Sequence, residues 1–253
     1  MKKMKALISI ALLSLLTVNM ACSQQMNTTE YRISVDVGHD QIFWGDPSNT
    51  QGMPADRADR VQYLNEQLKN NASSLNAELT YLHEEIKASD LSGSDLLYIH
   101  VPSSSYSENE VEAITNFLED GGSLFLAMDV DFWSTLEQAN VNDIIGPYGI
   151  EFGSDSPDTE VGALTREGLI TGQAVKIPYH GGRSVIGGTP FSFSVGPESI
   201  PFGAFAELDS GSRIIVMGDA MASLYMNSWQ EVDDYQTEEF MQDVLQWLLD
   251  YAQ

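Results

Sequence analysis

The sequence predicts a three-layer, doubly wound α/β fold, and two features carry that expectation. The first is the stretch Asp95–Asp129, which reads strand, loop, helix, glycine turn, strand. Leu96, Leu97, Tyr98, Ile99 and Val101 form a nearly unbroken apolar run, the mark of a parallel strand covered on both faces. Ser107 with Glu110 makes a capping box, and Val111, Ile114, Phe117 and Leu118 fall on one helical face. Gly121-Gly122 ends the helix, and Leu124, Phe125, Leu126 and Met128 make the next buried strand. This is one right-handed βαβ unit. The second feature is the return of a similar apolar strand, Arg213–Asp219, followed by a terminal helix. A chain of 253 residues that is 43% hydrophobic is long enough for one such core.

Taken in order, Met1–Lys5 is a basic segment and Ala6–Val18 an apolar one too short to span a bilayer. Residues 1–21 are expected to be a signal peptide. Ala21-Cys22-Ser23 fits a lipoprotein junction with Cys22 as the lipidated residue, although Asn19 departs from the usual leucine. Ordinary cleaved secretion is the alternative. Cys22 is the one cysteine, so no intrachain disulfide forms. Residues 22–30 form a polar tether, and 31–253 a single domain. The expected location is the cell envelope, on its periplasmic or surface face, with the membrane as partner through Cys22.

Tyr31–Gly38 is the first strand and His39–Arg57 a long loop of the functional kind. Ala58–Lys69 is a helix with Val61, Leu64 and Leu68 inward, and Leu79–Leu82 a short strand. Asp131–Ile145 is expected to be mostly helical. Residues 153–207 are rich in Gly and Pro and read as an irregular β insertion or cap, with β-like runs at Ala174–Pro178 and Phe191–Val195. Thr237 is expected to cap the last helix, with Phe240, Val244, Trp247, Leu248 and Tyr251 on its buried face.

These segments also carry a family resemblance. The strand at Asp95–Ile99, the helix start Ser-Glu-Asn-Glu and the "FLEDGGSLFLA" turn resemble the class I glutamine-amidotransferase-like superfamily, most closely its DUF4350 and ThuA-like branch. Asn142–Phe152 and the close RIIVMGD resemble the same group. The resemblance implies a flavodoxin-like sheet order. It also implies an active cysteine on a strand–helix elbow, beside His and Glu. Here that elbow holds Asp129-Val130-Asp131, so glutaminase chemistry is not expected.

Ligands in such sheets sit at the carboxyl ends of the strands. The candidates for chemistry there are Asp36, His39, His100, Asp129 and Asp219, and those for ligand contact are Asp40, Trp44, Ser103, Ser104, Asp131 and His180. Phe43, Trp44, Tyr106, Trp133 and Tyr179 are candidates for an aromatic mouth suited to stacking on a sugar. The bland reading of the aspartates is that they cap helices and pin loops, and that of His100 is a satisfied core histidine. No G-x-S-x-G, Walker A, dinucleotide glycine motif, HExxH or zinc-type cysteine spacing occurs, so no cofactor and no metal site is expected. A formal net charge of −25 argues against nucleic acid as a partner. The function expected is a non-catalytic binding or accessory role, its ligand a carbohydrate or another small polar molecule. The alternatives are an envelope hydrolase with an Asp/His site and a protein-interaction module.

Overall fold

The computed structural model describes residues 31–159, 161–228 and 232–250. Cys22, the leader and Tyr251 lie outside the described residues. Five strands run parallel: β1 (Tyr31–Asp36), β2 (Ala77–Leu82), β3 (Leu96–His100), β4 (Ser123–Ala127) and, late in the chain, β11 (Arg213–Met217), in the order β2-β1-β3-β4-β11. The helices between them are α1 (Ala55–Ser74), the single turn α2 (Ala88–Leu91), α3 (Glu108–Glu119), the short α4 (Leu136–Ala139) and α5 (Asn142–Ile145), and the last helix α6 (Thr237–Leu249).

Alternation along the strands divides the core in two. Ile33, Val35, Tyr98, Phe125, Ile215 and Met217 meet Leu64 and Leu68 of α1 and Phe240, Val244 and Leu248 of α6 on one face. Leu97, Ile99, Leu124, Leu126 and Val216 meet Ile114 and Leu118 of α3 and Ile144 of α5 on the other. This is a sheet with helices on both sides, as the unbroken apolar strands require. Ser107 caps α3 as its sequence pattern indicates, with Glu110 reaching back to the Ser107 N–H at 2.8 Å.

The second half of the chain departs from the expected cap. After β5 (Ile150–Ser156) come β6 (Ala163–Thr165), β7 (Lys176–Ile177), β8 (Gly182–Gly187), β9 (Thr189–Ser194) and β10 (Pro201–Glu207). Four of these extend the main sheet antiparallel beyond β11, in the order β10-β9-β6-β7. Only β5 and β8 form a separate pair, laid over the α3 face through Phe152 and Val185. Glycine and proline disguise these strands, because the turns and close approaches between them need glycine. A Cβ on Gly187, at φ +79°, would lie 2.0 Å from the Gly149 carbonyl oxygen.

Three smaller expectations are corrected. Residues 131–145 hold only two single-turn helices, α4 and α5, each ended by the local chain. The first helix is longer than its apolar stripe, since its ends are polar and exposed. Thr237 is the first helical residue rather than its cap; it is fully buried, and its hydroxyl hydrogen-bonds the Asn227 side chain.

Candidate functional site

The carboxyl ends of the parallel strands carry two separate polar assemblies. The first fills the crevice between β1 and β3, where the strand order reverses. Asp36 ends β1, and the tight turn after it folds His39 back so that Nδ1 lies 3.0 Å from both Asp36 oxygens. The other ring nitrogen, Nε2, lies 2.9 Å from Glu110 Oε1, which also accepts from the Ile86 N–H at 2.8 Å. The Tyr106 hydroxyl donates to Asp36 at 2.6 Å, and its ring stacks on His39 with centroids 4.0 Å apart. Gln41 donates to Asp36 at 2.8 Å, and its carbonyl accepts from the His100 N–H at 3.1 Å. All five side chains are buried.

Burial alone would push the His39 pKa down. Hydrogen bonding and charge from Asp36, then Glu110, outweigh it and hold the pKa above 6.5. For Glu110, burial pushes up, but the N–H groups of Ser107 and Ile86 and the His39 charge bring the net shift below the ordinary value. The result is an imidazole ring clamped at both nitrogens between two carboxyl groups, an arrangement that favours its protonated form. None of the five side chains lines the cleft described below, and the assembly ties the end of β1 to the loop and helix after β3. The sequence located Asp36 and His39 correctly at the rim but could not show that Tyr106 and Glu110 close over them. Glu110 was legible only as a capping residue, and its second oxygen serves His39.

His100 is also structural. It is fully buried, its pKa is pushed down by burial to about 3, and Nε2 meets the Ser223 hydroxyl at 2.9 Å. Ser223 donates to the Ala220 carbonyl at 2.8 Å, so the bond from His100 is an N–H donated to Ser223. Trp44 packs on Tyr98 and His100 inside the core and is not a mouth residue, and Tyr106 and Tyr179 are likewise buried. Asp40 and Ser103 join two loops through a 2.7 Å bond from the Ser103 hydroxyl to the Asp40 carbonyl. Neither they nor Ser104 line the cleft described next. The turn after His100 places Val101 at φ +49°, a strained state for a β-branched residue, held by the Val101 N–H on the Ala127 carbonyl at 2.8 Å.

The second assembly lies at the ends of β4 and β11 and opens into a cleft of about 600 Å³. Phe43 comes from the first loop, Arg60, Tyr63 and Leu64 from α1, and Asp129, Val130, Phe132 and Trp133 from the segment after β4. His180 and Gly181 close one side, and Met221, Leu224 and Met226 the floor. Asp129 and Asp219 end neighbouring strands. Asp129 takes the N–H groups of Val130 at 2.7 Å and Ala220 at 3.4 Å. Asp219, 0% exposed, takes those of Met221 and His180 at 2.7 Å each. Burial raises the Asp129 pKa to about 6, against the pull of those N–H groups and of His180 and Arg183. Burial and the Asp129 charge raise Asp219 well above the ordinary value. Both shifts run upward, so each of the two neighbouring carboxyl groups holds a proton more readily than a free one, with Asp129 on the cleft side and Asp219 behind it.

Arg183, buried on β8, fixes this wall. It pairs with Asp131 and with Asp155 at 3.4 Å, and donates to the Ser134 carbonyl at 2.9 Å. Asp131 thus serves Arg183 and does not line the cleft. His180 does line it, with Nδ1 2.6 Å from Asp158. Of the sequence candidates the cleft gathers Asp129, Asp219 behind it, His180, Phe43 and Trp133. The sequence missed Arg60, Tyr63, Met221, Leu224 and Met226, which look like ordinary helix and loop residues until the fold faces them inward. Among the described residues, no group of three or more His, Cys, Asp or Glu is arranged to hold a metal ion. No described helix is long and apolar enough to cross a membrane.

Residues 56–159 match the family model of the IFT52 GIFT domain. No curated protein matches the chain in sequence. Among solved structures the mmIFT52 N-terminal domain is similar at 18% identity, over 88% of this chain and 99% of that one, with a TM-score of 0.62. A ThuA-like protein from Bacteroides uniformis ATCC 8492 is similar at 10% identity, over 86% of this chain and 91% of that one, TM-score 0.52. The β-galactosidase from Rahnella sp. R3 is similar at 12% identity over 86% of this chain but only 31% of that one, TM-score 0.55. At these identities the likeness is one of fold: a mixed α/β domain shared with GIFT and ThuA-like proteins.

Proposed function

We propose that this chain is a non-catalytic binding domain whose site is the cleft between α1 and the ends of β4 and β11. The observation that carries the reading is a roomy aromatic cleft with one buried carboxylate, Asp129, at its inner end. Its size suits a small organic ligand. Of the candidates for a hydrolase, Asp36 and His39 pair with each other and do not line the cleft, where Asp129 stands with Asp219 behind it. Phe132 and Trp133 at the mouth, 81% and 42% exposed, favour stacking on a ligand ring, and a carbohydrate is one candidate. Further, we read the parallel half as a flavodoxin-like order of the class I glutamine-amidotransferase-like kind, DUF4350 and ThuA-like, lengthened by four antiparallel strands.

A glycan and metabolite binding screen on the full chain tests the site. Asp129→Asn and Trp133→Ala are each expected to weaken a hit by ~1–3 kcal/mol, with melting curves close to wild type. A hit that both variants bind unchanged would refute the cleft, and turnover of the hit would refute the non-catalytic role. If only a protein partner binds, through Phe132, the interaction-module alternative stands instead.

The same proposal keeps the chain exported and anchored at the envelope through Cys22. Cys22→Ser is expected to abolish labelling by a fatty-acid probe and release the protein to the soluble fraction. Unchanged labelling would end the lipoprotein reading.

A further inference from the structure

We propose that the cleft takes an organic cation, its apolar body held by the aromatic and methionine walls and its protonated amine set against Asp129. This rests on the cleft being the binding site and names the class of ligand it selects.

The first argument is polar inventory. A sugar offers hydroxyls around its whole ring and needs an array of donors and acceptors to replace water. The cleft walls are mostly carbon: Phe43, Leu64, Val130, Met221, Leu224 and Met226. Tyr63 is already engaged, its hydroxyl donating to the Tyr225 carbonyl at 3.2 Å. The polar side chains that remain are few, Asp129, His180 and Arg60, so the cleft fits a largely apolar ligand with a small polar head.

The second argument is the sign of the charge. Asp129 is 5% exposed, lines the cavity and accepts from the backbone N–H groups of Val130 and Ala220; the basic groups that pull on its charge, His180 and Arg183, are themselves engaged by Asp158 and by Asp131 and Asp155. A buried carboxylate with no direct ion-pair partner is costly, and a cation delivered by a ligand offsets that cost. Two basic groups line the same cleft. His180 is engaged by the Asp158 carboxylate, 2.6 Å from its Nδ1. Arg60 is exposed at the mouth, its guanidinium 6.0 Å from the centre of the Phe43 ring, where solvent and salt screen it. An anionic head would therefore meet a screened cation at the mouth and the buried Asp129 carboxyl group inside.

The third argument is the walls. Phe43 and Trp133 stand with ring centroids 5.0 Å apart at 66°, and Met221 and Met226 add polarisable sulfur. Aromatic faces around a buried anion are the surroundings in which an ammonium group is best held. The chain's net charge of −25 would enrich cations near the opening.

The test is calorimetric titration of the full chain with three probes: 2-phenylethylammonium, its neutral isostere 2-phenylethanol, and a methyl glycoside. The ammonium is expected to bind about tenfold or more tightly than the alcohol at pH about 7.5. Asp129→Asn is expected to erase that preference while leaving alcohol affinity unchanged. Lowering the pH to about 5 should weaken the ammonium in wild type and not in Asp129→Asn, because Asp129 then binds a proton. Equal affinity for ammonium and alcohol, or preference for the glycoside, overturns the cation assignment and leaves the cleft standing. Binding that is unchanged in both Asp129→Asn and Trp133→Ala overturns the cleft itself. Binding of none of the three, in a chain that melts normally, overturns the cation assignment.

Discussion

Asp36→Ala is expected to destabilise the domain by about 3–5 kcal/mol, the range for removing one member of a buried ion pair, and to leave ligand affinity of the folded fraction unchanged. Asp36 holds His39, Tyr106, Gln41 and the Gly38 N–H at once. Its loss leaves the buried His39 Nδ1 and Tyr106 hydroxyl without their partner. The effect has a pH signature. His39 has a folded pKa above 6.5, so its contribution is fully present below 6.5 and is lost as pH rises through the raised value. Glu110 is shifted below its ordinary 4.5, so its contribution is present above 4.5 and is lost as pH falls through the lowered value. Stability from this network therefore peaks between those two ordinary values. Because Asp36 is the main group raising His39, Asp36→Ala should flatten the alkaline limb. Urea midpoints across pH for both proteins measure this. Parallel curves, or a loss under about 1 kcal/mol, would mean that the assembly is not a lock.

Phe125→Ala is expected to cost about 3–5 kcal/mol, as is usual when an aromatic core site is emptied. Phe125 is in the middle of β4, fully buried, and stacks on Tyr98 of β3 with centroids 4.6 Å apart. The strands it joins carry His100 and Asp129 at their ends. Unlike Asp36→Ala, this variant should lower stability at every pH by the same amount. Chemical denaturation at two pH values separates them, and a pH-dependent loss in Phe125→Ala would show that the core and the network are coupled.

The parallel half was legible because its signals are local. Leu96–Ile99 and Leu124–Met128 are apolar throughout, and a strand buried on both faces has no other way to be written. The capping box at Ser107 is equally local and recurs in the structure with both bonds. The antiparallel half reads as an irregular β insertion or cap because glycine and proline interrupt it. Its identity as sheet comes from pairing partners far away in sequence, as β9 pairs with both β6 and β10. Local propensity carries little of that information.

For the site, the sequence by itself determined which residues stand at the strand ends: Asp36, His100, Asp129 and Asp219 follow from where apolar runs stop. Only the tertiary structure decided their fates. His39 is sealed because Tyr106 and Glu110, from the loop and helix after β3, pack over it. Asp129 reaches the cleft because Phe43, Tyr63 and Met221 stand back from it as walls. The chemistry of an aspartate is set by burial and by the charge facing it, and both are supplied by residues remote in sequence that only folding brings near.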